Sequence, residues 1–362
     1  MLKILDKYII KKFLVTFFFM LGVIMLLAMV FDLAERAGDF VDKQAPISAI
    51  IFDYYVNFVI YFGNLFSPLI VFVAVIWFTA KMAQNSEIIP MINSGRPFRR
   101  ILRPYMIGAT ILMLISLMFN HLVLPESNKV RLAFEEEYYR NVRTVSNYFA
   151  EYPGNQIVYF DSYRADKGRA LGFVMENRDS DNNLVSILKA GQAYNTDTTD
   201  GWQLYDYHIR YIDSPHDSIV YAANSGVHLD TVFPFKLSEM AYRENIVQTM
   251  GFYELKEFIA AEKEKGSGDI AFYEIELYQR TSFPFATYVL TLIGMAVSSQ
   301  KTRGGVGVNI AVGLLLAFIY IFAMKVTSVA AENVGFPSMI AVWIPNIIFG
   351  ILGIILYRMA PK

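Results

Sequence analysis

The groups in this chain that could do chemistry are a few charged side chains at the ends of long apolar runs, or inside them. Lys325 lies within the apolar run that begins near Gly305. An ionisable group in such a run is either a functional contact or a side chain that snorkels to the interface. Arg36 and Lys43 follow the first apolar run and read either as ordinary loop charge or as cations for an anionic ligand. Should they share a cavity with Lys325, the three would suit a phosphorylated headgroup, because guanidinium and ammonium groups bind phosphate well. Asp53, at the start of the second run, reads as an interface residue rather than a proton carrier. Glu87 opens the stretch SEIIPMINSG, where it is either a first-turn acid favoured by the helix dipole or a contact to another protein.

Enzymatic constellations are missing from the sequence. The 4 histidines, His121, His208, His216 and His228, have no metal-ligand spacing, and no HExxH, GxSxG or GxxxxGK occurs. The glycine-rich run Gly304 to Asn309 opens an apolar stretch instead of following a strand, as a dinucleotide site would require. With 0 cysteines there is no disulfide, thiolate chemistry or Cys-ligated metal. No catalytic residue and no metal site is expected.

The elements that must position these groups are membrane helices. Of 362 residues, 55% are hydrophobic and 18% charged, more apolar area than a soluble domain can bury. A net charge of -1 argues against nucleic acid as a partner. Phe13 to Phe31 is uncharged and reads as a retained first span, preceded by a basic amphipathic lead-in, Met1 to Lys12, on the inner surface. The acidic DLAERAGDFVDK then lies outside. Tyr54 to Ala80 crosses back, and Pro104 to Leu124 crosses out again.

Between those two runs, Ser86 is expected to cap a short helix over residues 86–95, ended by Gly95. Ile88, Met91 and Ile92 share one of its faces, and Arg96, Arg99, Arg100 and Arg103 form a basic cluster that marks the cytoplasmic side. A short helix with an apolar face and no membrane to enter needs a protein partner.

After the third span the pattern changes. Glu126 to Arg143 is expected to prolong that span as a helix, and from Gln156 the period becomes two. Strands are expected at 157–161, 170–177, 184–193, 204–212, 218–223 and 227–233, with Tyr205, Tyr207, Ile209 and Tyr211 on one side. Short strands at this spacing predict an antiparallel sandwich or jellyroll. Phe252 to Lys265 reads as a helix, and spans four to six follow from residue 269 onward. The expected domains are therefore 1–124 (spans one to three), 125–268 (β domain with flanking helices) and 269–362 (spans four to six). The basic residues put both termini and the 86–95 helix in the cytoplasm and the β domain outside.

These residues resemble the LptF/LptG (YjgP/YjgQ) family, permeases of the lipopolysaccharide export ABC transporter. The resemblance is carried by LDKYIIKKFL, DLAERAG, SEIIPMINSG, FYELKEFI, YEIELYQRTSFPFA, GVGVNIAVGLLLAFIYI and GFPSMIAVWIPN, and covers essentially the whole chain, most weakly in the β domain. It implies six spans with a periplasmic β-jellyroll between spans three and four, in a bacterial inner membrane. It further implies a transport subunit with no cofactor of its own, ATP being bound by a cytoplasmic subunit present in two copies. A paralogous permease, a single-span periplasmic bridge protein and lipopolysaccharide are the other implied partners. The family's coupling-helix acid falls on Glu87, so Glu87, Ile88, Met91, Ile92 and Arg96 are the expected ATPase contacts. Its rim cation before Ala-Gly falls on Arg36; Lys43 and Lys325 match no family position and rest on the residues alone, and the three together are the expected headgroup contacts. Other readings are a permease for another envelope lipid or lipoprotein, and a membrane-anchored envelope sensor or scaffold.

Overall fold

A long uncharged segment in a bilayer must satisfy its backbone polar groups internally, which a helix does within one segment. The structure, a computed structural model, describes residues 3–87, 90–91, 98–139, 144–152, 154–164, 168–196, 201–212, 216–221, 227–233, 246–264, 266–299 and 305–359. Among these, 6 helices are long and apolar enough to cross a membrane: Ile4–Asp42, Ile47–Gln84, Arg99–Tyr138, Ile270–Ser298, Gly307–Val334 and Ser338–Met359. An antiparallel β-jellyroll domain is inserted between the third and fourth. The helical unit comprises Met1–Tyr139, Gln248–Leu255 and Ala271–Lys362; the β unit comprises Arg140–Val247 and Lys256–Ile270.

The first span corrects one expectation. The lysine-rich start is not a separate surface helix but the opening turns of the span, which runs unbroken from Ile4 to Asp42. No proline interrupts it, and Asp6, Ile9, Phe13 and Phe17 bury one stripe along its N-terminal half. The third span runs past a π-helical stretch, Phe119–Val123, to Tyr138, so the charged segment from Glu126 does prolong it.

The β unit contains β1 (Thr144–Tyr152), β2 (Gln156–Arg164), β3 (Arg169–Arg178), β4 (Leu184–Thr196), β5 (Gly201–Tyr211), β6 (Ser218–Tyr221) and β7 (His228–Val232). The first six form a meander; β7 pairs with the opening half of β5 while β6 pairs with its closing half. β1 was not expected from the sequence.

A crease crosses this sheet. Between Tyr159 opposite Val174 and Ser162 opposite Leu171, the register passes through Asp161 and Gly172; it continues through Gly191 and Asp206 on β4 and β5. On either side of that line the inward positions change parity: Val158 and Phe160 then Tyr163, Ala170 then Phe173, Ala190 then Ala193, Leu204 then Tyr207. Gly172 at φ 64° and Asp206 at φ 52° supply the left-handed backbone that re-aims the strands. The single aromatic face expected for β5 is therefore split. Trp202, Leu204, Tyr207 and Ile209 belong to the core, whereas Tyr205 and Tyr211 do not.

A Cβ on Gly172 would lie 2.0 Å from Oδ2 of Asp161. Gly172→Ala should therefore destabilise the β unit by on the order of 1–2 kcal/mol from its backbone alone, and more from the clash. Thermal unfolding of the full chain in detergent checks this, and adding Asp161→Ala should return the clash part but not the backbone part.

Candidate functional site

Functional candidates collect at three places in the helical unit. At its C-terminal end, the second span stops through backbone chemistry rather than through a cap on the next helix. Ser86 is left-handed at φ 57°, its N–H donates to Ala83 O at 3.1 Å, and the Glu87 N–H donates to Met82 O at 2.9 Å. These two bonds close the C-terminus of the second span. They also correct the expected role of Ser86, because an N-cap needs extended backbone.

Glu87 is engaged with the first span. Tyr8 Oη donates to its Oε2 at 3.0 Å, Lys12 Nζ lies 3.6 Å away, and Asn85 Nδ2 donates to Oε1 at 3.3 Å. Partial burial works against the charge, but the hydrogen bonds from Asn85 and Tyr8 and the Lys12 ammonium outweigh it and hold the carboxyl below the usual carboxylate range. A carboxyl lowered in this way favours the tie above its ordinary pKa, so the tie is present at neutral pH and lost as pH falls through the lowered value. Met91 is half-buried and packs against the cluster of Ile9, Phe13, Ile101 and Tyr105. Ile88, Ile92 and Arg96 lie outside the described residues. Asp6, which the sequence did not single out, accepts two hydrogen bonds from Arg100, at 2.9 and 2.6 Å.

Near the C-terminal end of the first span, Arg36 lies over the ring of Tyr139, 4.1 Å from its centroid, with Nε 4.0 Å from Asp32. Asp32 in turn accepts from the hydroxyls of Tyr54 at 2.9 Å and Tyr55 at 3.3 Å. Phe40, Tyr54, Phe134 and Tyr139 pack edge-to-face and stacked around these polar groups. The cation is thus oriented by an aromatic wall and an acid. Lys43, at the end of the same helix, donates to Glu137 O at 3.2 Å, so Arg36 and Lys43 both face the last turn of the third span.

Lys325 lies elsewhere. A cavity of about 370 Å³ is bounded by the second, third, fourth and fifth spans, and Lys325 is on its wall while Arg36 and Lys43 are not. The wall also carries Glu276 and Arg280, so two cations face one anion. Arg280 is 4% exposed, lies 3.7 Å from Glu276 and donates to Met250 O at 2.7 Å. Lys325 is itself exposed and has no ion pair among the described residues. Amides complete the lining: Asn64 accepts from Ser116 at 2.9 Å and from Asn120 at 3.3 Å, and Gln279 donates to Ser328 at 3.2 Å. The rest of the wall is apolar, including Phe66, Phe283 and Ile321. Such a cavity can take an amphiphile with an anionic or hydroxylated end. Arg280 and Glu276 were missed in the sequence, where an acid and a base at i, i+4 read as helix surface.

A family model described as the lipopolysaccharide export system permease LptF/LptG matches residues 7–359. No curated protein matches the chain.

Proposed function

Because this chain belongs to the LptF/LptG family of lipopolysaccharide export permeases, we propose that it extracts lipopolysaccharide from the outer leaflet of the inner membrane and passes it to a periplasmic bridge protein. As a multi-pass inner-membrane transport subunit, it works beside a paralogous permease. Two copies of a cytoplasmic ATPase bind the ATP, and the chain needs no cofactor of its own. Both termini are cytoplasmic and the β domain is periplasmic, a reading supported by the basic residues at the inner loops.

The observation that carries this reading is the cavity wall on which exposed Lys325 meets apolar side chains and amides. A headgroup phosphate would meet Lys325, while Arg36 and Lys43 would meet the same class of group at the outer rim. The segment from Glu87 to Arg96 is the ATPase contact. Met91 packs against the helical core, and Glu87, Ile88, Met91, Ile92 and Arg96 are the residues assigned to the contact.

The test is to purify the chain from native membranes with its co-expressed neighbours and to identify the bound proteins and lipids. An ATP-hydrolysing subunit together with lipopolysaccharide is expected. A different envelope lipid or a lipoprotein would replace the substrate, and a preparation with no ATPase would overturn the transport reading. Glu87→Arg should reduce ATPase recovery at least tenfold with the protein still inserted, whereas Lys12→Ala should leave recovery within twofold. Equal recovery in Glu87→Arg would remove Glu87 from the contact. The absence of cysteine makes single introduced cysteines unambiguous reporters of which side each loop occupies.

A further inference from the structure

The segment between the second and third spans is joined covalently to those two helices only. The first span reaches the second through residues 43–46, at the opposite end of both helices. Whatever movement the inner end of the first span receives from this segment must therefore pass through side chains.

Two tethers do this, and both land on the opening turns of the first span. Before the segment, Glu87 is held by Tyr8 and Lys12, which are themselves bonded at 2.8 Å. After it, Arg100 grips Asp6 in a two-pronged contact, and the backbone N–H of Lys3 donates to the same carboxylate at 2.8 Å. Asp6 is 3% exposed, so its charge is met by that guanidinium and that N–H, with Arg103 adding to the field, rather than by water. Between the tethers, Met91 packs against the core cluster that includes Ile9. Two turns further along, the first span lies directly on the third: a Cβ on Gly108 would meet the ring of Phe13 at 2.5 Å.

We propose that Asp6 and Arg100 are positioning residues that lock the opening turn of the third span, into which the intracellular segment leads, to the first span. A movement imposed on the segment is thereby delivered to the first span and along it to Arg36. From Asp6 to Arg36 an unbroken helix extends about 45 Å at ~1.5 Å per residue. The contact is bidentate and nearly dry at Asp6, whereas the Glu87 tether is single-pronged and partly exposed, so the Asp6–Arg100 pair sets the rigidity. This inference rests on the reading of the segment as the ATPase contact, and the experiment separates the two.

The complete complex, with its ATPase and paralogous subunit, is reconstituted in proteoliposomes containing lipopolysaccharide, and ATP hydrolysis and lipid release are measured side by side. For Arg100→Gln and Asp6→Asn, the ATPase is expected to assemble in full and hydrolyse within twofold of the unaltered complex, while lipid released per ATP falls at least tenfold. The exchange Asp6→Arg with Arg100→Asp should recover part of that loss, and Arg100→Lys, which keeps the charge but loses the fork, should be intermediate. A merely structural role would lower hydrolysis and release together and leave their ratio unchanged, which overturns the proposal. Spin labels at Lys11→Cys and Arg99→Cys, both exposed, give a second readout that needs no disruptive variant. Their distance should be the same with and without nucleotide, and a nucleotide-dependent change in the otherwise unaltered chain overturns the proposal. Failure of the unaltered complex to recruit an ATPase would instead refute the ATPase reading itself.

Discussion

Arg280→Met is expected to lower the stability of the helical unit by about 1–3 kcal/mol, the cost of leaving a backbone acceptor and a partly buried carboxylate without their donor. The guanidinium is 4% exposed and stands 3.7 Å from Glu276 on the preceding turn of the same helix. Its Nη1 also donates to the carbonyl of Met250 at 2.7 Å, and Asn128 holds the neighbouring carbonyl of Gln248 at 3.2 Å. Removing Arg280 therefore strands a carboxylate and a backbone acceptor together, and releases a side chain that pins Met250 to the fourth span. Methionine restores the volume but none of the donors. The change is measured as a drop in the thermal unfolding midpoint in detergent and in the monodisperse fraction on gel filtration. Pairing it with Glu276→Leu should return a substantial part of the loss, because the stranded charge is then gone while the Met250 carbonyl still lacks its donor. If Arg280→Met unfolds at the same temperature as the unaltered chain, the pair is not what holds this part of the bundle.

The spans, the site of the insertion and the later strands were legible because each is written as a hydrophobic period within one short window. Features set by partners far apart in sequence were not. Asp6 reads as one acid among lysines, and nothing local reveals that Arg100 grips it. Ser86 reads as a helix cap because serine favours that role, and only the bonds to Met82 and Ala83 show it closing the preceding helix. In the β unit, alternation along 204–212 was read through without a break. The parity change is produced by left-handed backbone at Asp206 and Gly172, and a period-two pattern has no term for that. β1 was passed over because it follows a charged helix after a short interval and has little alternation of its own. Among the cations the sequence named the residues but not their grouping: Arg36 and Lys43 face the end of the third span, and Lys325 faces a cavity that neither of them lines.

That grouping shapes the largest functional effect to be expected. Reversal of charge at Arg36 and Lys325 should slow lipopolysaccharide release roughly ten- to a hundredfold at each position, taking about 1.5–3 kcal/mol for one charge-assisted bond to a phosphate. The two positions share no partner, so if both touch the lipid the losses should multiply in the double variant. Arg36→Glu also sets three acids together, since Asp32 and Glu35 already lie within 4.0 and 3.8 Å of the guanidinium. Arg36→Gln is therefore the cleaner variant at the rim, and its loss should be smaller but in the same direction. Lys325→Glu breaks no ion pair among the described residues but sets a second acid on the cavity wall that carries Glu276, so Lys325→Gln is the matching neutral control. A photo-crosslinker at Lys325 should label the lipid before ATP is added, and one at Arg36 should label it as well if rim and cavity are occupied by one molecule. Labelling at Lys325 alone would place the lipid in the cavity and return Arg36 to the role its surroundings already give it, a cation that orders Tyr139 and Asp32. Labelling at neither would remove both from the path of the substrate.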